Sequence, residues 1–199
     1  MHSRRRPAAL FVLLLAPAAC GERRGDPIPP ASVDSSSDFP ADTAAGAGPA
    51  GAWPVGLRAA GPLRYGASLA DARRATGDSL ADAVEGEGCA YVSPRAAPAG
   101  MRFMVENGRV VRVDVDSAGV ATDRGARIGM REDDIRRLHG DGIAVRPHKY
   151  EPDSRYLIVV PRAPADSAFR IVFETDGAGV VRRYRAGMLP AVEYVEGCG

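Results

Sequence analysis

Lysine is almost missing from this chain. Lys149 is the single lysine among 26 basic residues, and the rest are arginine. Together with abundant alanine, glycine and proline, this reads as the signature of a GC-rich bacterial genome rather than a functional choice. The 25 acidic residues bring the formal charge to +1. A chain so close to neutral carries no electrostatic footprint for nucleic acid and no polybasic patch for anionic lipid. Histidine is scarce too: His2, His139 and His148 are the only three. No His, Cys or Asp set has metal-ligand spacing, so no metal site is expected. There is no nucleophile elbow, no P-loop and no glycine-rich dinucleotide fingerprint, so neither a catalytic residue nor a cofactor is assigned. Beyond the N-terminus, no apolar run reaches membrane-spanning length.

What is present begins with an export segment. Arg4, Arg5 and Arg6 form a basic start, and Ala8 to Ala16 an apolar run too short to span a bilayer stably. Residues 1–19 read as a signal peptide, whose loss takes the formal charge from +1 to −2. The run ends in Ala16-Pro-Ala-Ala-Cys20. Small residues before a cysteine resemble a bacterial lipobox, although Pro17 stands where an aliphatic residue is usual. The resemblance implies cleavage ahead of Cys20 and lipid on Cys20, the sole membrane attachment expected. Several acyl chains would anchor firmly where one holds weakly. The alternative is ordinary secretion with cleavage near Ala18 or Ala19, and both readings export the chain.

Export brings the remaining cysteines into an oxidising compartment. With Cys20 consumed by lipid, Cys89 and Cys198 are left to pair as a disulfide. The bridge would close a loop of about 110 residues and stabilise the fold by roughly 4–5 kcal/mol in the chain-entropy model. Free thiols or a Cys89 nucleophile are the alternative, but nothing adjacent supplies a base.

Residues 20–56 are rich in Pro, Ala, Ser, Gly and Asp and have no hydrophobic period, so they read as a disordered tether. Trp53 either docks on the domain edge or marks where order begins. Residues 57–199 suffice for one folded domain. Within it the chain repeats itself. The run Arg64-Tyr-Gly-Ala-Ser-Leu-Ala-Asp-Ala-Arg-Arg-Ala-Thr-Gly-Asp78 aligns without a gap on Arg127 to Asp141, and shorter matches follow downstream. Repeat 1 covers about 61–120 and repeat 2 about 124–190, ahead of a C-terminal tail.

Each copy reads as a glycine turn (Gly66, Gly129), a ten-residue helix stopped by Gly77 or Gly140, and three strands. Ser68 is the N-cap candidate of the first helix. The strands are Cys89–Val92, Met101–Glu106 and Arg109–Val115, then Tyr156–Val160, Phe169–Glu174 and Val180–Tyr184. Asn107-Gly108 predicts a type I′ hairpin. The alternation Val111-Arg112-Val113-Asp114-Val115 predicts a sheet with one face buried and the other wet. The expected class is α+β: two αβββ repeats forming an antiparallel sheet with helices packed on one face.

The segment Ile128-Gly-Met-Arg-Glu-Asp-Asp-Ile-Arg-Arg-Leu-His-Gly140 resembles the opening of the outer-membrane assembly lipoprotein family (SmpA/OmlA type). That family has a Gly-Met turn, a short helix and a three-stranded sheet. Paired units of this kind resemble the β-lactamase-inhibitor-protein fold. Ala67 departs from the pattern in the first copy. The resemblance implies a non-catalytic, protein-binding module in the envelope.

The most distinctive surface is the Pro-bounded segment Arg146-Pro-His-Lys-Tyr-Glu-Pro-Asp-Ser-Arg-Tyr156. Its Arg146, His148, Lys149, Tyr150, Arg155 and Tyr156 form a candidate partner-binding loop, since arginine and aromatic side chains make interface anchors. Asp114 and Asp116 share a strand face and could pair as carboxylates. Ser79 or Ser93 with a distant histidine would be an unconstrained nucleophile. The function expected is a non-enzymatic binding or scaffolding module of the periplasm or outer membrane, with an envelope protein or a cell-wall component as partner. Alternatives are an exported enzyme inhibitor or immunity-type protein, a hydrolase of envelope polymers, or a carbohydrate-binding protein using Tyr91, Tyr150, Tyr156, Tyr184 and Tyr194.

Overall fold

The computed structural model describes residues 53–83 and 87–199. The signal peptide, Cys20 and most of the expected tether lie outside the described residues. A small hairpin of β1 (Ala59–Ala60) and β2 (Leu63–Arg64) leads into α1 (Leu69–Thr76). Three strands follow: β3 (Cys89–Val92), β4 (Met101–Glu106) and β5 (Arg109–Val115). The second half has α2 (Glu132–His139) and four strands: β6 (Ile143–Pro147), β7 (Arg155–Val159), β8 (Phe169–Thr175) and β9 (Val181–Met188). All seven long strands join one antiparallel sheet, in the order β3-β4-β5-β9-β8-β7-β6. The protein is therefore α+β.

Local chemistry explains the element ends. Ser68 caps α1 by accepting a hydrogen bond from the Asp71 amide, and Gly77 ends the helix in the left-handed conformation. Asn107 and Gly108 both take positive φ, as a type I′ turn requires. The charged α2 carries the Glu132–Arg136 and Asp134–Arg137 pairs on its surface.

The two halves begin alike. The Gly66 amide donates to Val110 O, the Val110 amide to Ala67 O, and the Leu69 amide to Gly108 O. In the second half the Gly129 amide donates to Val181 O, the Val181 amide to Met130 O, and the Glu132 amide to Gly179 O. Each glycine turn thus docks its helix start onto its own hairpin through the same three bonds.

The core lies on one face of the sheet. Phe103, Val113, Ala186 and Ile171 run across it in register, and Met101, Val115, Tyr184, Phe173 and Leu157 form the next row. Leu69 and Ala72 of α1 and Ile135 of α2 cover these rows. Trp53 meets Phe103 edge-on, with ring centroids 5.9 Å apart, and Val55 is fully buried. Packing therefore extends ahead of Leu57 to Trp53.

Two expectations need correction. The second half contains a fourth strand, because Arg146 and Pro147 belong to β6 and pair with Tyr156 and Arg155 of β7. Pro147 is tolerated there because β6 is an edge strand. The second face of the sheet is also only partly wet. After a cis Leu189–Pro190 bond the tail makes a 3-10 turn at Ala191–Glu193 and lies across that face. Val192 is fully buried there against Tyr156, Ile158 and Val172. Alternation reports which side chains are polar, not whether another segment will cover them.

Candidate functional site: a cleft under the C-terminal tail

The tail covers charged side chains, and their chemistry defines the site. Arg112 on β5 and Arg185 on β9 are each only 4% exposed. Burial at that level demands partners for every guanidinium. Arg112 donates to the Asp114 carboxylate at 2.5–3.1 Å, to Ala191 O at 3.0 Å and to Tyr194 O at 2.6 Å. Arg185 donates to Val192 O at 2.6 Å and also to Glu174. Two strand arginines thus hold the tail by its backbone carbonyls.

Glu174 of β8 is the hub of the second group. It accepts from Arg185 and, at 2.5 Å, from Arg183 Nε. Burial pushes its carboxyl up, but the hydrogen bonds and charges of Arg183 and Arg185 outweigh this and hold it below the usual carboxylate range. His148 completes the group. Its Nδ1 accepts from the Tyr150 and Glu151 amides at 3.2 and 3.1 Å, which leaves the ring proton on Nε2, 3.5 Å from Glu174. The ring also stacks on Tyr156, centroids 4.6 Å apart.

Beside this network lies a cleft of about 310 Å³. Its floor is Arg102, Asp114 and Arg183 on the sheet, its walls are Tyr91 and Tyr150, and its lip is Val195, Glu196 and Gly197. Three devices fix the lip. Cys89 and Cys198 are joined in a disulfide, with Cα atoms 5.5 Å apart. Lys149 Nζ donates to Glu196 at 3.1 Å and the Tyr150 hydroxyl donates to the same carboxylate. Gly197 has φ +71, and a Cβ there would lie 2.7 Å from the Tyr91 hydroxyl, so only glycine lets the lip close on that ring. Burial, with the Asp114 carboxylate nearby, pushes the Tyr91 phenol up to about 12. The phenol remains a donor over the whole physiological range.

The candidate loop does not survive as one surface. His148 and Tyr156 turn inward as packed side chains, Lys149 and Tyr150 clamp the tail, and Arg146 reaches Glu193 at 3.3 Å. Arg155 points elsewhere, pairing with Glu132 of α2 at 3.3 Å. The contacts to the tail were invisible in the sequence because they join residues nearly fifty positions apart. Of the tyrosines considered for sugar stacking, Tyr91, Tyr150 and Tyr184 border the cleft, but Tyr184, like Tyr156, is buried, which leaves Tyr91 and Tyr150 accessible. Asp114 and Asp116 also line it. Asp114 is tied to Arg112, and Asp116 lies past the end of β5. Ser93 donates to Met101 O at 3.4 Å and is not part of the cleft. Cys89 is bridged rather than free. Sequence reasoning missed Arg102, Arg183, Arg185 and Glu174, whose only signal was a charged side chain on the polar face of an otherwise apolar strand.

The fold and cleft define an α+β protein with one mixed-charge site closed by its own disulfide-fixed tail. No family model and no curated protein matches the chain. Among solved structures, the uncharacterized protein yfeY from Escherichia coli is similar at 12% identity and a TM-score of 0.39, over 68% of this chain and 99% of that one. The disulfide is consistent with an exported protein, and among the described residues no helix is long and apolar enough to cross a membrane.

Proposed function

We propose that the chain is an exported, non-enzymatic cell-envelope lipoprotein that binds an envelope protein or a cell-wall component through the cleft under its tail. The observation that carries this reading is the cleft itself. A pocket lined by arginine and tyrosine is closed by a lip that a disulfide, a salt bridge and a glycine hold in place. Rigid lips and preorganised arginines lower the ordering cost of binding. The 57% exposed Tyr150 ring stands at the rim as an aromatic anchor. Two equivalent units, in the manner of the outer-membrane assembly lipoproteins, make up the scaffold in this reading. The three matched backbone bonds at each helix start support that duplication. Lipid on Cys20 tethers the scaffold to the outer membrane or keeps it at the periplasmic surface.

A hydrolase is the second reading, because Asp114 and His148 line the same cleft. It is less favoured: both His148 nitrogens are engaged by backbone amides and Glu174, and among the described residues no serine or cysteine thiol joins them. A photo-cross-linking residue placed at Tyr150 in cells is expected to give discrete envelope adducts, and one at Arg136 on α2 none. Palmitate labelling should depend on Cys20. Equal adduct patterns at the two positions would remove the cleft from consideration, and labelling that persists in Cys20→Ala would remove the lipid assignment.

A further inference from the structure

Most charges around the cleft are already spent on one another. Asp114 is paired with Arg112, Glu174 with Arg183 and Arg185, and Glu196 with Lys149. Two are not. Arg102 of β4 is exposed, and its guanidinium lies over the Tyr91 ring, 5.1 Å from the centroid. Among the described residues no carboxylate pairs with it, and no basic side chain pairs with Asp116. Arg102 faces Asp114 across the β4–β5 ladder, and Asp116 follows the end of β5, where its amide donates to Gly100 O at 3.0 Å. Both side chains line the same cleft. One free cation and one free anion therefore border one small cleft without pairing with each other, an arrangement that one small molecule could bridge.

We propose that Arg102 and Asp116 form a site for a small zwitterion of the α-amino-acid class, with its carboxylate on Arg102 and its ammonium on Asp116. Arginine presents a planar fork matched to a carboxylate. Asp116 accepts from an ammonium as carboxylates do. A cleft of about 310 Å³ is at the small end of ligand sites, which suits an amino acid or the charged end of a peptide. An isolated anion or cation would leave one of the two side chains unanswered, and this selects for ligands carrying both charges. The site rests on the binding reading above and names the ligand class within it.

The test uses the purified exported chain with its disulfide intact, and alanine, N-acetylalanine and alaninamide as probes. Alanine is expected to shift the backbone NMR resonances of Arg102, Asp116 and Gly197. Each derivative lacks one charge and should bind more weakly by about tenfold or more, the cost of one charge-assisted hydrogen bond. Arg102→Gln should erase the advantage of alanine over alaninamide, and Asp116→Asn its advantage over N-acetylalanine. Both side chains are exposed, so neither variant endangers the fold. Equal binding of all three probes, or no shift with any of them at millimolar concentration, overturns the proposal. The in-cell adducts at Tyr150 do not depend on alanine, so the two readings fail separately.

Discussion

His139 shows how a single side chain couples this fold to pH. It closes α2, where a protonated imidazole would ordinarily be welcome at the helix C-terminus. Its ring instead packs beside Phe173, centroids 5.7 Å apart, and its buried Nε2 has no partner among the described residues. Burial, with the Arg124 charge adding to it, pushes the imidazole down to about 4. Between its ordinary value of 6.5 and about 4 the unfolded chain binds a proton that the folded chain refuses. Stability is thus retained above that window and falls as pH falls through it. The loss is at most on the order of 3 kcal/mol, and less where water reaches the ring. His139→Leu should flatten the drop in urea midpoint between about pH 7 and about pH 4. An unchanged slope would place the acid sensitivity elsewhere.

At the scale of elements, the critical join is β5 against β9, where the two halves become one sheet. Four residue pairs form that seam, from Arg112 opposite Gly187 to Val115 opposite Tyr184. Gly187 lets the strands approach: a Cβ there would lie 2.3 Å from Val111 O and 2.7 Å from Arg112 Cα. Both are backbone atoms, which cannot swing aside. Gly187→Ala should therefore destabilise the protein by about 1–3 kcal/mol or more and move the buried Arg112. Chemical denaturation measures the first effect. A midpoint equal to that of the parent chain would mean the seam is looser than its backbone indicates. The same seam brings Arg112 and Arg185 together beneath the tail, so strand pairing and the site share one cause.

For the whole molecule, the disulfide decides how the tail is held. Cys89 lies on β3, the edge strand of the first half, and Cys198 is the penultimate residue, 109 positions later. The bridge encloses β3 to β9 and leaves only β1, β2 and α1 of the named elements outside its loop. Cys89→Ser with Cys198→Ser should lower stability by up to about 4–5 kcal/mol relative to the oxidised protein. Reductant should shift the urea midpoint of the parent chain in the same direction and leave the double variant unmoved. Equal midpoints for all forms would show that Val192 and the arginine–carbonyl bonds hold the tail without help.

The sequence by itself determined whatever depends on near neighbours. The Ser68 cap, the Gly77 stop, the Asn107-Gly108 turn and the strands β3, β4 and β5 follow from local hydrogen bonding, backbone freedom and period-two alternation. The pairing of Cys89 with Cys198, 109 positions apart, followed instead by elimination once Cys20 was set aside. Tertiary structure alone decided what lies over the second sheet face. Arg112 and Asp114 read as solvent-facing because alternation records polarity, whereas burial depends on a tail attached more than seventy residues away. β6 was hidden for a related reason: its apolar run Ile143-Ala144-Val145 is short and is broken off by Arg146 and Pro147, and only pairing with β7 makes it a strand. The candidate site was half legible. His148, Tyr150, Asp114 and Asp116 stood out as residue types, but their partners Arg102, Arg183, Arg185, Glu174 and Glu196 come from other strands and the tail. Long-range register, which no local pattern encodes, is what gathers them around one cleft.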